Sequence, residues 1–238
     1  MNIRKMILSA AVLSALAGYT VVRPRMLVHR LALSSPDVLY YVDTTERVVA
    51  LTIDDGPHAV LTPMILDMLA EYDVHATFFL LGERIPGNEA IVQRIIDEGH
   101  ELGNHTMIDA PSIRFSEAEF DLQLDQADEL LSPFADVRWF RPGSGWYNQR
   151  MLRQVRDHDY RCVVGSVYPY DAQLRFAPVL STYILVNTFP GSIIALHDGS
   201  WERRRTVDVL CQTLPRLQRR GYRIVTLSQL MAAGVESQ

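Results

Sequence analysis

Residues 48–57 read Val-Val-Ala-Leu-Thr-Ile-Asp-Asp-Gly-Pro: six apolar or β-branched residues, then two adjacent carboxylates and a turn. A short run of this kind, closed by Gly-Pro, reads as a β-strand. Similar runs recur downstream, and 76–81, 101–104, 137–140, 161–165, 192–196 and 222–227 are the other candidate strands. Helical patterns lie between them. In 61–71 the apolar residues fall at 61, 64, 65, 68 and 69; 89–97 repeats the period and stops at Gly99. Ser116 and Glu119 form a capping-box pattern that opens a helix to Leu131, and 148–158 and 206–220 follow, the last with Pro215 expected to bend it. Strand–helix alternation implies an α/β fold with a parallel sheet. Seven such units close into a barrel or lie as an open doubly wound sheet, and in both the chemistry belongs at the C-terminal ends of the strands.

The chain has 238 residues and is 48% hydrophobic, enough for a substantial core. Its net charge of −5 hides an asymmetry. The first 36 residues carry five cations and no acid, so residues 37–238 hold 18 cations against 28 acids, a net −10. Such a body does not bind a nucleic-acid backbone, which requires clustered positive charge. Lys5 is the only lysine, which excludes Schiff-base chemistry and a lysine-dependent phosphate loop in the folded part. Cys162 and Cys211 are too few for a thiolate zinc site or a disulfide framework and read as small buried apolar residues. Residues 6–22 form a 17-residue apolar run after Arg4 and Lys5. It reads equally as a cleaved export signal or an uncleaved membrane anchor, within a leader spanning residues 1–30. Either places the acidic domain, residues 31–238, outside the cytoplasmic membrane, with the membrane met only through this segment.

Five polar sets follow the candidate strands: Asp54-Asp55-Gly56-Pro57, Asn104-His105-Thr106-Met107-Ile108-Asp109, Arg141-Pro142-Gly143-Ser144-Gly145, Tyr168-Pro169-Tyr170-Asp171 and His197-Asp198. Two buried carboxylates side by side cost several kcal/mol unless a cation or donors compensate. Neighbouring side chains diverge, so one carboxylate is available to a metal and the other to a proton. His105 and Asp109, four apart, face one side if the chain makes a helical turn there, and with Asp55 they would give a cation three ligands. His197 suits a general acid near neutral pH, and Arg141 suits pairing with a buried carboxylate. Taken singly, each set also has an ordinary reading as turn, cap or core-edge residue.

In this order, Thr52 to Pro57, Gly103-Asn104-His105-Thr106, Arg141-Pro142 and Leu196-His197-Asp198 resemble the motifs of the polysaccharide deacetylases of carbohydrate esterase family 4, the NodB-homology domain. The resemblance covers about residues 46–232. It implies a distorted, TIM-barrel-like (β/α) barrel of about seven parallel strands and metal-dependent removal of N-acetyl groups from N-acetylglucosamine units in chitin-oligosaccharide, peptidoglycan or exopolysaccharide. Carried over by position, Asp54 would be the general base, Asp55 and His105 metal ligands and His197 the general acid. Arg141 would orient Asp54, the backbone N–H near Ser144 would help hold the oxyanion, and Ile194 and Leu196 would flank the acetyl methyl. Two departures stand out. Asp109 occupies the place of the family's second histidine, leaving zinc as the expected ion but admitting cobalt, manganese or magnesium. Asp171 is the nearest candidate for the aspartate that tunes the catalytic histidine. Trp146 or Tyr147 would stack on a sugar face or pack the barrel rim. A related amide or imide hydrolase, and a catalytically silent carbohydrate-binding barrel, are the rival readings.

Overall fold

The computed structural model describes residues 24–171, 174 and 176–236. The apolar run 6–22, read above as signal or anchor, lies outside the described residues. The stretch quoted first is strand β2 (Val48–Gly56), buried along all nine residues. Its side chains alternate as a strand must. Val49, Leu51 and Ile53 pack outward with Ile65, Leu66 and Leu69 of helix α2 (Leu61–Glu71) and with Leu210, Leu214 and Leu217 of helix α7 (Arg205–Arg219). Val48 and Ala50 point into an inner cluster with Phe79, Trp139, Val163 and Ile193.

Around β2 the remaining elements follow in chain order. Helix α1 (Pro24–Ser34) and strand β1 (Val38–Leu39) precede it; after α2 come β3 (Thr77–Leu80), α3 (Glu89–Asp97), β4 (Glu101–Asn104), α4 (Glu117–Leu131) and β5 (Trp139–Phe140). Then come α5 (Gln149–Asp157), β6 (Arg161–Val163), α6 (Ala177–Asn187), β7 (Ile193–His197), α7, β8 (Arg223–Val225) and α8 (Leu227–Glu236). The sheet order is β1-β6-β5-β4-β3-β2-β7, every ladder parallel, with β8 paired to the start of β2. The sheet's two ends meet through two lone bridges, Val167 with Ile194 and Tyr41 with Ser192. This is a distorted (β/α) barrel.

Helices α2 and α3 occupy the expected spans, and Ser116 caps α4 with the reciprocal Glu119 bond. Four elements were not anticipated: α1, β1, α6 and α8. The α6 segment carries apolar residues on several sides, so no helical stripe marks it; Leu180 and Ile184 are buried while Val179 and Val186 are exposed. Val28 packs with Val38 and Tyr40, so the expected boundary between residues 30 and 31 falls inside α1. Pro215 lies within α7, which runs on to Arg219. Cys162 is buried as expected, but Cys211 is exposed: it sits on the outer side of α7, away from Leu210 and Leu214.

Helix α8 lies across the N-terminal ends of the strands. Leu227 N–H donates to Thr77 Oγ1 at 2.9 Å, and Glu101 accepts from the Thr77 and Ser228 hydroxyls and, at 2.8 Å, from Trp139 Nε1. That end is stapled shut, which leaves the opposite end for chemistry. Gly103 in β4 links the inner cluster to that end. A methyl group there would overlap the Phe79 ring, and the Arg141 guanidinium rests on that ring 4.2 Å from its centroid. Gly103→Ala therefore overpacks the barrel interior and should lose about 1–3 kcal/mol of stability in urea unfolding. Unchanged stability would show that the ring is not pinned.

Candidate active site

Asp54 and Asp55 both reach the site because β2 is bulged. Asp54 registers with Phe79 and Gly56 with Leu80, leaving Asp55 as the extra residue, at φ 73°. In a regular strand the two carboxylates would face opposite sides of the sheet; the bulge re-aims the second. The strained Asp55 backbone is held from outside, where Arg84 donates to the carbonyls of Asp55 (2.8 Å) and Gly199.

Asp54 is buried against Arg141. Arg141 Nη1 donates to Asp54 Oδ1 and to Thr52 Oγ1, each at 2.6 Å, and Nε to the Val163 carbonyl at 3.3 Å. Arg141 is only 1% exposed, so removing either partner would strand a buried charge. The other Asp54 oxygen faces His197 Nε2 at 4.0 Å. His197 is gripped by Asp171 on both sides: Nδ1 lies 2.9 Å from Asp171 Oδ1, and the His197 backbone N–H donates to Oδ2, also at 2.9 Å. Burial opposes the imidazolium, but the charge and hydrogen bond of Asp171, with Asp54 and Asp55 adding, outweigh it and raise the His197 pKa to about 9. The stability this confers is full below the usual histidine value near 6.5 and is lost as pH rises through about 9.

His105 sits opposite Asp55. Its Nδ1 lies 2.7 Å from the Arg141 carbonyl, which can only accept, so Nδ1 carries a proton. Nε2 is 3.3 Å from Asp55 Oδ1. Burial opposes charge on His105, but Asp55 and Asp54 raise its pKa; burial likewise opposes the Asp55 anion, and His105, His197 and Arg203 overcome it and hold Asp55 below the usual carboxylate range.

Asp109 does not join them. It is exposed, and no cluster of three or more His, Cys, Asp or Glu side chains with the arrangement of a metal site occurs among the described residues. The expected helical turn is missing. Thr106 is left-handed at φ 70° and its N–H bonds to Asn104 Oδ1 at 2.8 Å, so the spacing of four no longer argues for a shared helical face.

The rim residues divide. Trp146 is 68% exposed, and Ser144 is exposed at φ 62°. Tyr147 packs on the wall with its hydroxyl bound to Tyr40, which takes it from free stacking. Ile194 and Leu196 are buried in the outer layer with Leu210 and Leu214 rather than exposed in a cleft wall. Arg84, Phe79 and Thr62 are site neighbours that no local pattern signals. Thr62 supports Asp198, already named beside His197, by a hydroxyl bond; burial, partly offset by that bond, pushes Asp198 up to about 7.

A carboxylate held beside an imidazolium at the mouth of a parallel barrel, with a second carboxylate–imidazole pair next to it, defines a hydrolase built for acyl transfer to water. Residues 41–163 match the Polysaccharide deacetylase family model. The chain is 32% identical over 197 residues to a peptidoglycan-N-acetylglucosamine deacetylase of Bacillus cereus, covering 82% of this chain and 92% of that one. It is 34% identical to a chitooligosaccharide deacetylase of Sinorhizobium fredii, covering 76% and 90%. The crystal structure of the Bc1960 peptidoglycan N-acetylglucosamine deacetylase superimposes with a TM-score of 0.80 at 33% identity, over 84% of this chain and 95% of that one. The chain belongs to the polysaccharide deacetylase family and is a hydrolase of carbon–nitrogen bonds other than peptide bonds.

Because Asp171 supplies most of the force that keeps His197 charged, Asp171→Asn should move the alkaline limb of the kcat/KM pH profile down by about 1 unit or more. An unmoved limb would remove His197 as the titrating acid.

Proposed function

We propose that the chain removes N-acetyl groups from N-acetylglucosamine-containing glycans of the peptidoglycan or chitin-oligosaccharide type. The observation that carries this reading is the Asp54–His197 pair, 4.0 Å apart, each arm held by its own partner, Arg141 and Asp171. One arm takes a proton and the other gives one, as amide hydrolysis requires. The names of the relatives supply the substrate class.

The Asp55–His105 pair fits a divalent cation. With Nδ1 held to the Arg141 carbonyl, Nε2 is the ring atom that faces Asp55 Oδ1, 3.3 Å away, so that once Nε2 gives up its proton an imidazole lone pair and a carboxylate converge on one point. Asp55 and His105 would hold the ion, zinc by preference and cobalt, manganese or magnesium by tolerance, as one carboxylate and one imidazole allow. Bound there, it would supply Lewis acidity to the acetamide carbonyl and to water.

The chain's own residues do the rest. Asp54 Oδ2 accepts a proton from water as its oxygen attacks the acetamide carbon. Arg141 keeps Asp54 ionised and aimed. The left-handed Ser144 turn offers backbone N–H groups to the developing oxyanion. His197 Nε2 gives its proton to the sugar nitrogen as the C–N bond breaks, releasing acetate and the free amine. Trp146, exposed at the rim, offers a face for a sugar ring.

The 17-residue apolar run 6–22 supports an exported or membrane-anchored protein whose barrel faces the periplasm or exterior.

Asp54→Asn should cut acetate release from N-acetylglucosamine oligomers by about 10²–10⁴-fold with metal affinity nearly intact. Near-normal turnover would remove Asp54 as the base. In calorimetric titration with Zn²⁺, Asp55→Ala should abolish tight binding, whereas Asp109→Ala should change affinity by less than about threefold, since only the first side chain meets His105. A large loss at Asp109 would restore it as a ligand.

A further inference from the structure

Helix α1 is apolar on the wrong side. Toward the barrel it offers Val28 and Ala32, packed near Val38 and Tyr40. Toward solvent it turns Leu33 (71% exposed), Leu27 (50%) and Leu31 (40%), with Met26 also exposed. At about 100° per residue, positions 26, 27, 30, 31, 33 and 34 share one arc of roughly 160°, wider than the buried stripe. A surface helix normally reverses this arrangement. The helix carries no acid; Arg30 lies in the middle of the exposed arc, and Arg25 stacks on Phe189 at 5.0 Å.

Three occupants could cover such a face. A second copy docked face to face would bring Arg30 against its own counterpart with no acid on the helix to compensate. On the reading of the apolar run 6–22 as a membrane-directed segment, that run is itself taken by the bilayer, and Arg23 alone separates it from α1 in sequence. A bilayer surface with anionic headgroups satisfies both features: leucines enter the acyl boundary and Arg30 meets phosphate.

We propose that α1 lies flat in the headgroup layer, with Leu27, Leu31 and Leu33 embedded, and holds the barrel against the membrane that residues 6–22 reach. The proposal rests on the reading of 6–22 as a membrane-directed segment, and the two fail separately. The test uses the full chain with Cys211→Ser, leaving only the buried Cys162, and a single label site at Leu31→Cys or, across the barrel on α3, at Gln93→Cys. Each carries an environment-sensitive fluorophore, with vesicles of phosphatidylglycerol and phosphatidylethanolamine. The label at position 31 should shift to the blue and be quenched at least twofold by spin-labelled acyl chains, while the label at 93 stays water-like. Adding Arg30→Glu should weaken the quenching at 31. Water-like emission at 31 in protein that floats with the vesicles overturns the proposal and leaves the anchor standing. A blue shift without lipid quenching means that protein covers the face and also overturns it. Protein that does not float sinks both.

Discussion

The Arg141–Asp54 ion pair is the constraint around which the barrel mouth is arranged. Both groups are removed from water, and neither can be buried alone without a penalty of several kcal/mol. Arg141 is therefore shared among Asp54, the Thr52 hydroxyl and the Val163 carbonyl, and its flat face rests on Phe79. Those four partners come from strands β2, β6 and β3, while Arg141 follows β5. One guanidinium ties together strands far apart in sequence. Its own carbonyl in turn accepts from His105 and sets which nitrogen of that ring faces Asp55. The proton-handling pair and the candidate cation pair are thus oriented by two ends of a single residue.

Much of this was legible in the sequence because the signals were local. Helices α2 and α3 have clear apolar periods, Gly99 stops α3, and the Ser116 box names the start of α4 by its own chemistry. The site residues were legible as a set because the fold places strand ends together, so Asp54, His105, Arg141 and His197 converge without any long-range information. Asp171 was readable only as the nearest acid to the expected place, yet it grips His197 through two bonds.

What escaped was conformational. The left-handed backbone at Thr106 and Ser144 belongs to residue types that do not advertise it, and at Asp55 to one that does so far less than a glycine would. At Thr106 it cancels the spacing argument for Asp109. The register bulge at Asp55 explains how neighbours on one strand serve one site, and no composition rule marks it. Helix α6 escaped because its apolar residues have no single side, and α1 because its buried contribution is two small side chains.

The barrel is closed by two solitary bridges where β6 and β7 would otherwise form a ladder. The chain from this seam leads straight into Tyr168–Asp171, so the clamp on the acid histidine hangs from a part of the wall without a continuous ladder. Opening there needs far less than global unfolding. On warming, the enzyme would fall silent while its sheet still gave a native spectrum, and a staple across the seam would extend its working range more than any repair to the core.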